Sequence, residues 1–359
     1  MALSLRPALR RGALSNQDGR YEPYSREIFD DGWNVDPVDE TLPPLETVET
    51  PEISRSILTW QTSPDIWFDR SLNPYRGCEH GCIYCFARPT HARYGFSPGL
   101  DFESRLFFKP DAAALLEKEL RAPSYRCAPL AIGTNTDPYQ PMERRYRIMR
   151  SVLEVLEAFR HPVGITTKSA IVVRDIDILG RMAADGLAAV GISLTTLDRD
   201  LARLLEPRAS TPAARLSAMR ELVSAGIPVA VMVAPVIPGL TDQEIERILD
   251  AAASVGVTEA AFLLLRLPEE VTGLFCEWVQ THFPDRAEHV FSLIRQTRRG
   301  KMNSSRFFNR FVGDGAYAGM LAKRMELRMR RHGMRGRRAV MNTGLFRTPP
   351  RTGDQLSFL

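Results

Sequence analysis

Three closely spaced cysteines constrain this chain more than any other feature of its sequence. They lie in the segment Asn73-Pro-Tyr-Arg-Gly-Cys78-Glu-His-Gly-Cys82-Ile-Tyr-Cys85. Gly77 and Gly81 give the backbone the freedom it needs for three thiolates to converge on a soft metal centre. A closed zinc site or a complete iron-sulfur cluster usually takes four ligands. A [4Fe-4S] cluster held by three cysteines therefore has one iron that is open to a substrate or cofactor.

Two alternatives to a three-cysteine cluster remain at this point. One is a zinc site completed by His80 or His91, and the other is three unrelated thiols. The two other cysteines, Cys127 and Cys276, do not form a second Cys-x2-Cys pair. An odd number of cysteines with three in a metal-type motif indicates a reducing compartment, so we expect a cytoplasmic protein.

The cysteine loop resembles the cluster signature of the radical S-adenosylmethionine (SAM) superfamily. This resemblance implies that Cys78, Cys82 and Cys85 hold a [4Fe-4S] cluster whose open iron chelates the amino and carboxylate groups of SAM. One electron from the cluster then cleaves the sulfonium to a 5'-deoxyadenosyl radical. Tyr84 resembles the aromatic residue that lies beside the SAM adenine in this family.

The composition is that of a soluble globular protein, with 359 residues, 44% apolar and 25% charged. No apolar run is long enough to span a membrane, and the best one, residues 227–240, contains three prolines. No secretory signal is recognisable. The basic stretch Met1 to Asn16 is typical either of an organellar transit peptide or of the N-terminal arm of a cytoplasmic protein.

After the cysteine loop, apolar β-branched runs alternate with longer amphipathic segments, as in a parallel βα series. The predicted helices are 112–121, 144–159, 177–184, 212–225 and 242–254, and the predicted strands are 129–133, 163–167, 188–194, 229–234 and 260–265. With the strand before the cysteines, this predicts a partial (βα)6 TIM-like barrel of the radical SAM type, although periodicity alone also allows an open doubly wound sheet. We expect an extended or disordered N-terminal arm at 1–52, with order beginning near Ile53, the barrel at 53–268, and a basic helical extension with a flexible tail at 269–359.

Polar residues follow each predicted strand, where the chemistry of an α/β barrel is found. Over residues 70–270 they resemble those of the spore photoproduct lyase-like branch of the superfamily. The resemblance implies that SAM is held by Asn135, Thr136, Asp137, Lys168, Ser193 and, more weakly, Arg208. Helix-capping turns and solvated surface cations are the alternatives for these residues.

Two positions depart from the lyase of that branch. In the lyase, a cysteine at the exit of the second strand donates a hydrogen atom, and a tyrosine follows the third cluster cysteine. Here those positions are Gly133 and Phe86, so we do not expect the lyase activity itself. Cys127 is a weak candidate for a substitute hydrogen-atom donor, and otherwise no catalytic residue is assigned.

The net positive charge is concentrated in the C-terminal region. Between Arg295 and Arg351 there are 16 Lys or Arg but two acidic residues. We expect a nucleic acid or another polyanion to bind here, through Arg324, Arg328, Arg330, Arg331, Arg335, Arg337 and Arg338. The last residues, Gln355, Leu356, Ser357, Phe358 and Leu359, resemble the peptides with which bacterial proteins bind the replicative sliding clamp.

The sequence therefore predicts a radical SAM enzyme that acts on a macromolecule, with a nucleic acid in DNA repair or modification as the candidate substrate. A reductase or flavodoxin-type protein would supply the electron. The alternative is a nucleic-acid-associated iron-sulfur or zinc protein that catalyses nothing.

Overall fold

A parallel β-sheet forms the centre of the protein, whose structure is a computed structural model that describes residues 11–22, 45–336 and 341–350. In these ranges the strands are β1 (Val48–Pro51), β2 (Leu58–Trp60), β3 (Arg70–Leu72), β4 (Tyr75–Arg76), β5 (Arg105–Phe108), β6 (Leu130–Ile132), β7 (Val163–Thr167), β8 (Ala188–Ser193), β9 (Val229–Val236), β10 (Glu259–Leu264) and β11 (Arg335–Gly336). The α-helices are α1 (Pro89–Ala92), α2 (Asp101–Ser104), α3 (Ala112–Leu120), α4 (Glu143–Tyr146), α5 (Ile148–Ala158), α6 (Ile176–Ala184), α7 (Arg199–Leu205), α8 (Pro212–Ser224), α9 (Ile245–Ser254), α10 (Glu270–His282), α11 (Ala287–Gln296) and α12 (Gly315–Arg331).

The main sheet has the strand order β11-β10-β9-β8-β7-β6-β3-β2. From β3 to β10, each strand pairs in parallel with the next. In the described residues β3 and β10 do not pair with each other, so the barrel is open, and β2 and β11 cover its two edges. This architecture confirms the predicted partial barrel of six βα strands. A smaller sheet of order β1-β5-β4 lies beside the cysteine loop.

The apolar pattern of the sequence explains the core. The central strands are β-branched and buried, as expected for parallel strands covered on both faces. Helix α5 is amphipathic and buries Met149, Val152, Leu153 and Leu156 against the sheet. Helices α3, α5 and α6 pack next to one another, as do α8, α9 and α12. The carboxyl ends of all six parallel strands therefore meet at one face of the barrel.

Some element bounds differ from the sequence-based prediction. The predicted helix 144–159 is broken at Arg147, which has a left-handed backbone with φ of 52° between α4 and α5. The short helix α7 was not predicted. Order begins before Ile53, because β1 starts at Val48 and residues 11–13 are buried. The predicted N-terminal arm thus includes residues that pack against the rest of the protein.

The described part of the C-terminal extension packs on the barrel. Helix α12 contacts α9 and β10, and buries Leu321 and Met325. Arg337 and Arg338 and the clamp-like segment Gln355 to Leu359 lie outside the described residues. None of the helices described is both long and apolar enough to cross a lipid bilayer.

Candidate functional site

The cysteine loop begins directly after β3 and β4, at the carboxyl face of the barrel. The Cys78 N–H donates to the Phe102 carbonyl at 2.9 Å, and the Ile83 N–H donates to the Leu205 carbonyl at 3.1 Å. Gly77 and Gly81 have positive φ of 69° and 67°. A Cβ on Gly81 would lie 2.6 Å from Glu103 Oε2. Glycine is therefore required here both by backbone conformation and by space.

A buried ion pair between Arg88 and Glu103 packs against the cysteine loop. The Arg88 guanidinium donates to the carbonyls of Cys82 at 2.9 Å and Gly81 at 3.2 Å, and pairs with Glu103 at 2.5 Å. Glu103 also accepts from the N–H groups of Gly12 and Ala13, both at 2.8 Å. The N-terminal segment thus packs directly under the cysteine loop. Sequence reasoning missed this pair, although Arg88 follows the third cysteine by three residues.

The three thiols lie within electrostatic range of one another. Cys78 and Cys82 are buried and Cys85 is partly buried. Burial raises the pKa of all three thiols, that of Cys82 to about 12, and the other two cysteines raise the pKa of Cys78 further. Lys168 acts in the opposite direction on the pKa of Cys82 and Cys85. Three buried sulfur donors with one nearby cation form a donor set that fits a soft metal centre.

The geometry favours a cluster over a single ion. In the described ranges, no three His, Cys, Asp or Glu side chains are grouped so that they could hold one metal ion. The thiols of an iron-sulfur cluster bind different irons, so they need not converge on one point. His91 belongs to no such group in the described residues, and its Nε2 lies 2.9 Å from the Arg105 carbonyl. His80 lies instead beside Asp137, with its Nδ1 3.4 Å from Oδ2.

Lys168 follows β7 and its side chain reaches towards the cysteines. Its Nζ lies 5.8 Å from the centroid of the Tyr84 ring. Among the described residues, the Lys168 ammonium has no hydrogen bond or ion pair. Burial alone would lower the pKa of Lys168, but the neighbouring Cys82 and Glu206 outweigh it and raise that pKa. The site therefore contains a positive charge that is available to an anionic group.

The Asp137 carboxylate already accepts hydrogen bonds from the protein, so its role is structural. It accepts hydrogen bonds from the Thr167 hydroxyl and the Lys168 N–H, both at 2.7 Å, and from the Tyr139 N–H at 2.9 Å. Burial acts to raise the pKa of Asp137, but His80 and these donors outweigh it and lower the pKa to about 2. Asp137 thereby fixes the backbone from which Lys168 projects.

The other residues predicted to hold SAM differ in how far they are already engaged. The Asn135 N–H donates to Asn73 Oδ1 at 3.0 Å, and the Thr136 hydroxyl donates to the Tyr75 carbonyl at 2.9 Å. Ser193 is buried at the end of β8. Arg208 pairs with Glu79 at 2.8 Å. These residues all follow β3, β6 or β8 on the face that carries the cysteines.

Sequence reasoning also missed a buried pair beside Tyr84. Glu206 accepts hydrogen bonds from Tyr84 and from Arg215, and from the Thr195 hydroxyl at 2.7 Å. Burial raises the pKa of Glu206, but Arg215 and Lys168 outweigh it and lower the pKa to about 2. Arg215 also donates to the Ser193 carbonyl at 3.0 Å. The sequence feature that could have revealed this pair is Arg215 itself, which lies four residues before Met219 on the apolar face of α8.

Cys127 lies at the wrong end of the barrel for hydrogen-atom donation. It precedes β6, whereas the cysteine loop follows β3, and β3 and β6 are parallel. Its electrostatic neighbour is Arg70, the first residue of β3. Cys127 was suggested as a hydrogen-atom donor by its proximity in sequence. The topology of the sheet does not place it at the site.

Relatives of known sequence match part of this chain. The uncharacterized protein Rv2578c of Mycobacterium tuberculosis is 38% identical over 231 residues, which are 64% of this chain and 68% of that protein. The uncharacterized protein MJ0683 of Methanocaldococcus jannaschii is 26% identical over 174 residues, 48% of this chain and 62% of that protein. These similarities assign no activity.

Solved structures share the fold. Spore photoproduct lyase complexed with dinucleoside spore photoproduct superposes with a TM-score of 0.54 and 16% identity, over 80% of this chain and 81% of that one. The sequence profile described as the Radical SAM superfamily matches residues 72–252, from the end of β3 through α9. The chain therefore belongs to the radical SAM superfamily, whose cofactors are a [4Fe-4S] cluster and SAM.

Proposed function

We propose that Cys78, Cys82 and Cys85 hold the cluster, and that the protein uses it to act on a nucleic acid in repair or modification. The cluster and SAM would supply a 5'-deoxyadenosyl radical that abstracts a hydrogen atom from the substrate. The observation that carries this proposal is the Lys168 ammonium, which has no hydrogen bond or ion pair among the described residues and lies near the Cys82 and Cys85 thiols.

Each proposed SAM contact follows from its position. Lys168 would bind the SAM carboxylate through a charge-assisted contact. The Tyr84 ring would lie against the adenine, because Glu206 fixes its hydroxyl. Asn135 and Ser193 would supply further polar contacts.

Other residues predicted to hold SAM would position rather than bind. The Thr136 hydroxyl and the Asp137 carboxylate are already engaged by the protein. Arg208 would contribute only after leaving Glu79. We therefore assign Thr136 and Asp137 to holding the strand ends in place.

The nucleic-acid substrate is supported at the level of fold. A structural neighbour is spore photoproduct lyase complexed with dinucleoside spore photoproduct. The reaction would differ from that of the lyase, since Gly133 and Phe86 replace the two hydrogen-donating residues. A reductase or flavodoxin-type protein in a reducing cytoplasm would supply the electron.

Anaerobic reconstitution tests the proposal. Reduced wild-type protein should convert SAM to 5'-deoxyadenosine, and Cys82→Ala should lose both the cluster absorbance and this activity. Lys168→Gln should keep the cluster but bind SAM at least about tenfold more weakly, because a buried charge-assisted contact contributes about 1.5–3 kcal/mol. The exposed Lys323→Gln on α12 is the matched control. A colourless protein with stoichiometric zinc, or a cluster whose spectrum ignores SAM, would contradict the proposal.

A separate proposal is that the clamp-like tail locates the protein at DNA by binding the sliding clamp. Removal of Gln355 to Leu359 should abolish retention by an immobilised sliding clamp. Equal retention with and without these five residues would end the idea.

A further inference from the structure

Among the described residues, an arginine that has no ion pair lies at the mouth of the barrel, close to the cysteine loop. Arg266 follows β10, at the carboxyl face of the sheet, and Phe86 follows Cys85. The Arg266 guanidinium lies 5.8 Å from the Phe86 ring centroid and 5.1 Å from that of Phe311. The Phe311 carbonyl in turn accepts the Leu264 N–H at 2.8 Å. Arg266 thus stands between an aromatic ring of the cysteine loop and one of the C-terminal extension.

The charge of Arg266 is not balanced within the described chain. It has no ion pair there, and its Nε is buried without a hydrogen-bond partner. Asp65 faces the same surface, but Arg310 binds both of its oxygens, at 2.8 and 2.5 Å. Arg298 is a further cation nearby, and its guanidinium is taken up by backbone carbonyls, including Leu265 at 2.5 Å. A partly buried guanidinium in this position suits an external anion.

Exposed aromatic side chains lie on the two segments that contact this guanidinium, the cysteine loop and residues 307–311. Phe86, Phe307 and Phe308 are 50%, 52% and 62% exposed. Phe308 holds a left-handed backbone with φ of 65°, which is strained for an aromatic residue. Its N–H donates to Asp65 at 3.0 Å, so the strained turn is fixed in place. We call Phe86, Arg266, Phe307, Phe308, Arg310 and Phe311 the arginine-aromatic surface.

The arginine-aromatic surface is also basic. The Arg310 guanidinium lies 5.0 Å from the Phe307 ring and 4.8 Å from the Phe311 ring. Residues 295–313 contain six Lys or Arg and no acidic residue. Pre-organised rings beside unpaired positive charge are what proteins use to stack bases and bind phosphates of a single strand. An acidic peptide would use the charge but would leave the rings without a role.

We propose that the arginine-aromatic surface binds a single-stranded nucleic-acid segment, with a phosphate at Arg266 and unstacked bases on Phe86 and Phe307. This inference rests on the proposed function, because the bound strand would present a nucleotide beside the cysteine loop. It differs from the sequence-based expectation, which assigned polyanion binding to the arginines of α12 and beyond. Two of those arginines, Arg324 and Arg328, are engaged with carboxylates of the barrel.

Fluorescence anisotropy of the full-length protein with short labelled oligothymidylate and oligouridylate tests this site. Arg266→Gln should weaken binding by about tenfold, and the slope of log affinity against log salt should become shallower by about 0.7, as for loss of one phosphate contact. Phe307→Ala should also weaken binding by about tenfold, but without changing the slope. Comparing the two oligonucleotides separates DNA from RNA as the source of the strand.

Two control variants remove one charge or one exposed apolar side chain from other parts of the protein. Arg220→Gln removes one exposed charge from α8, and Leu327→Ala removes one exposed apolar side chain from α12. The proposal is overturned if Arg266→Gln and Arg220→Gln bind alike. It is also overturned if polyglutamate displaces the oligonucleotide through the same dependence on Arg266, since that outcome indicates an acidic peptide.

Cleavage of SAM without nucleic acid reports the proposed function separately. Wild-type protein and the control Arg220→Gln should form 5'-deoxyadenosine at the same rate in the absence of oligonucleotide. Wild-type protein that binds oligonucleotide through Arg266 but never cleaves SAM would refute the proposed function alone. Protein that cleaves SAM but binds no oligonucleotide would refute the arginine-aromatic surface alone.

Discussion

Gly133 shows how one residue limits the chemistry of the site. It follows β6 with a positive φ of 86°, and a Cβ there would lie 2.1 Å from the Thr166 carbonyl oxygen. The resemblance to the lyase-like branch makes this the position of a hydrogen-donating cysteine. The backbone of this chain has no space for any side chain at that point. The difference from the lyase is therefore fixed by packing as well as by the residue type.

Substitution of Gly133 should be costly. We expect Gly133→Cys to lower the free energy of unfolding by about 3 kcal/mol or more, because backbone strain and a steric clash add. Gly226→Ala is the matched control, since Gly226 has a φ of 75° but nothing within 4 Å of its Cβ position. It should cost about 1 kcal/mol. Urea denaturation measures both, and equal losses would mean that the clash relaxes freely.

At the scale of elements, helix α8 and the loop after α7 are joined by the Arg215–Glu206 pair. Both side chains are almost fully buried, and Glu206 also receives the Tyr84 hydroxyl from the cysteine loop. Breaking such a pair leaves an uncompensated buried charge, which typically costs about 3–5 kcal/mol. The pair thus connects the packing of α8 to the orientation of a proposed SAM contact.

The pH dependence of stability tests this pair. The pKa of Glu206 is lowered to about 2 in the folded protein, below its ordinary value near 4.5. Its contribution to stability is therefore complete above about pH 4.5 and is lost as the pH falls towards 2. Glu206→Gln should be less stable than wild type at pH 7 and should have a shallower slope over this window. Some slope should remain, because the pKa of Asp137 is also about 2.

The control for this experiment is Glu154→Gln, which changes an exposed carboxylate on α5. Its stability should follow that of the wild type from pH 7 to acid. If Glu206→Gln shows the full wild-type slope, the pair does not contribute to acid unfolding.

At the scale of the whole molecule, carboxylates of the barrel match part of the positive charge of the C-terminal region. Arg324 binds both oxygens of Glu246, at 2.7 and 2.6 Å. Arg328 binds both oxygens of Asp250, which His332 also contacts at 2.6 Å. Helix α12 is thus held to α9 by ion pairs between residues about eighty positions apart. Counting charges along the sequence overstates the field that α12 presents to a polyanion.

Arg328→Ala should therefore affect stability and not nucleic-acid binding. We expect a small loss of stability at low salt, because the pair is largely exposed to solvent, and a smaller loss near 1 M salt, where screening is strong. Urea denaturation at both salt concentrations measures this effect. The oligonucleotide affinity of this variant should stay within about twofold of wild type. A loss of about tenfold would instead indicate that the polyanion binds to α12.

Much of the fold and part of the site follow from local sequence. The alternation of apolar strands with amphipathic helices predicts the six parallel strands, because periodicity reports which face of an element is buried. The spacing of Cys78, Cys82 and Cys85 predicts a metal loop, because neighbouring residues can meet without knowledge of the rest of the chain. The position of Lys168 at a strand end likewise follows from the βα pattern.

Tertiary structure alone decided which distant residues meet. It brought Gly12 under the cysteine loop, paired Arg215 with Glu206, and put Cys127 at the opposite end of the barrel. It also neutralised arginines of α12 while Arg266 was left without a partner among the described residues. Spacing along the chain determines local geometry, but burial and ion pairing depend on contacts between segments far apart in sequence. For that reason the sequence by itself indicated the type of chemistry, and the folded chain determined which residues are free to take part in it.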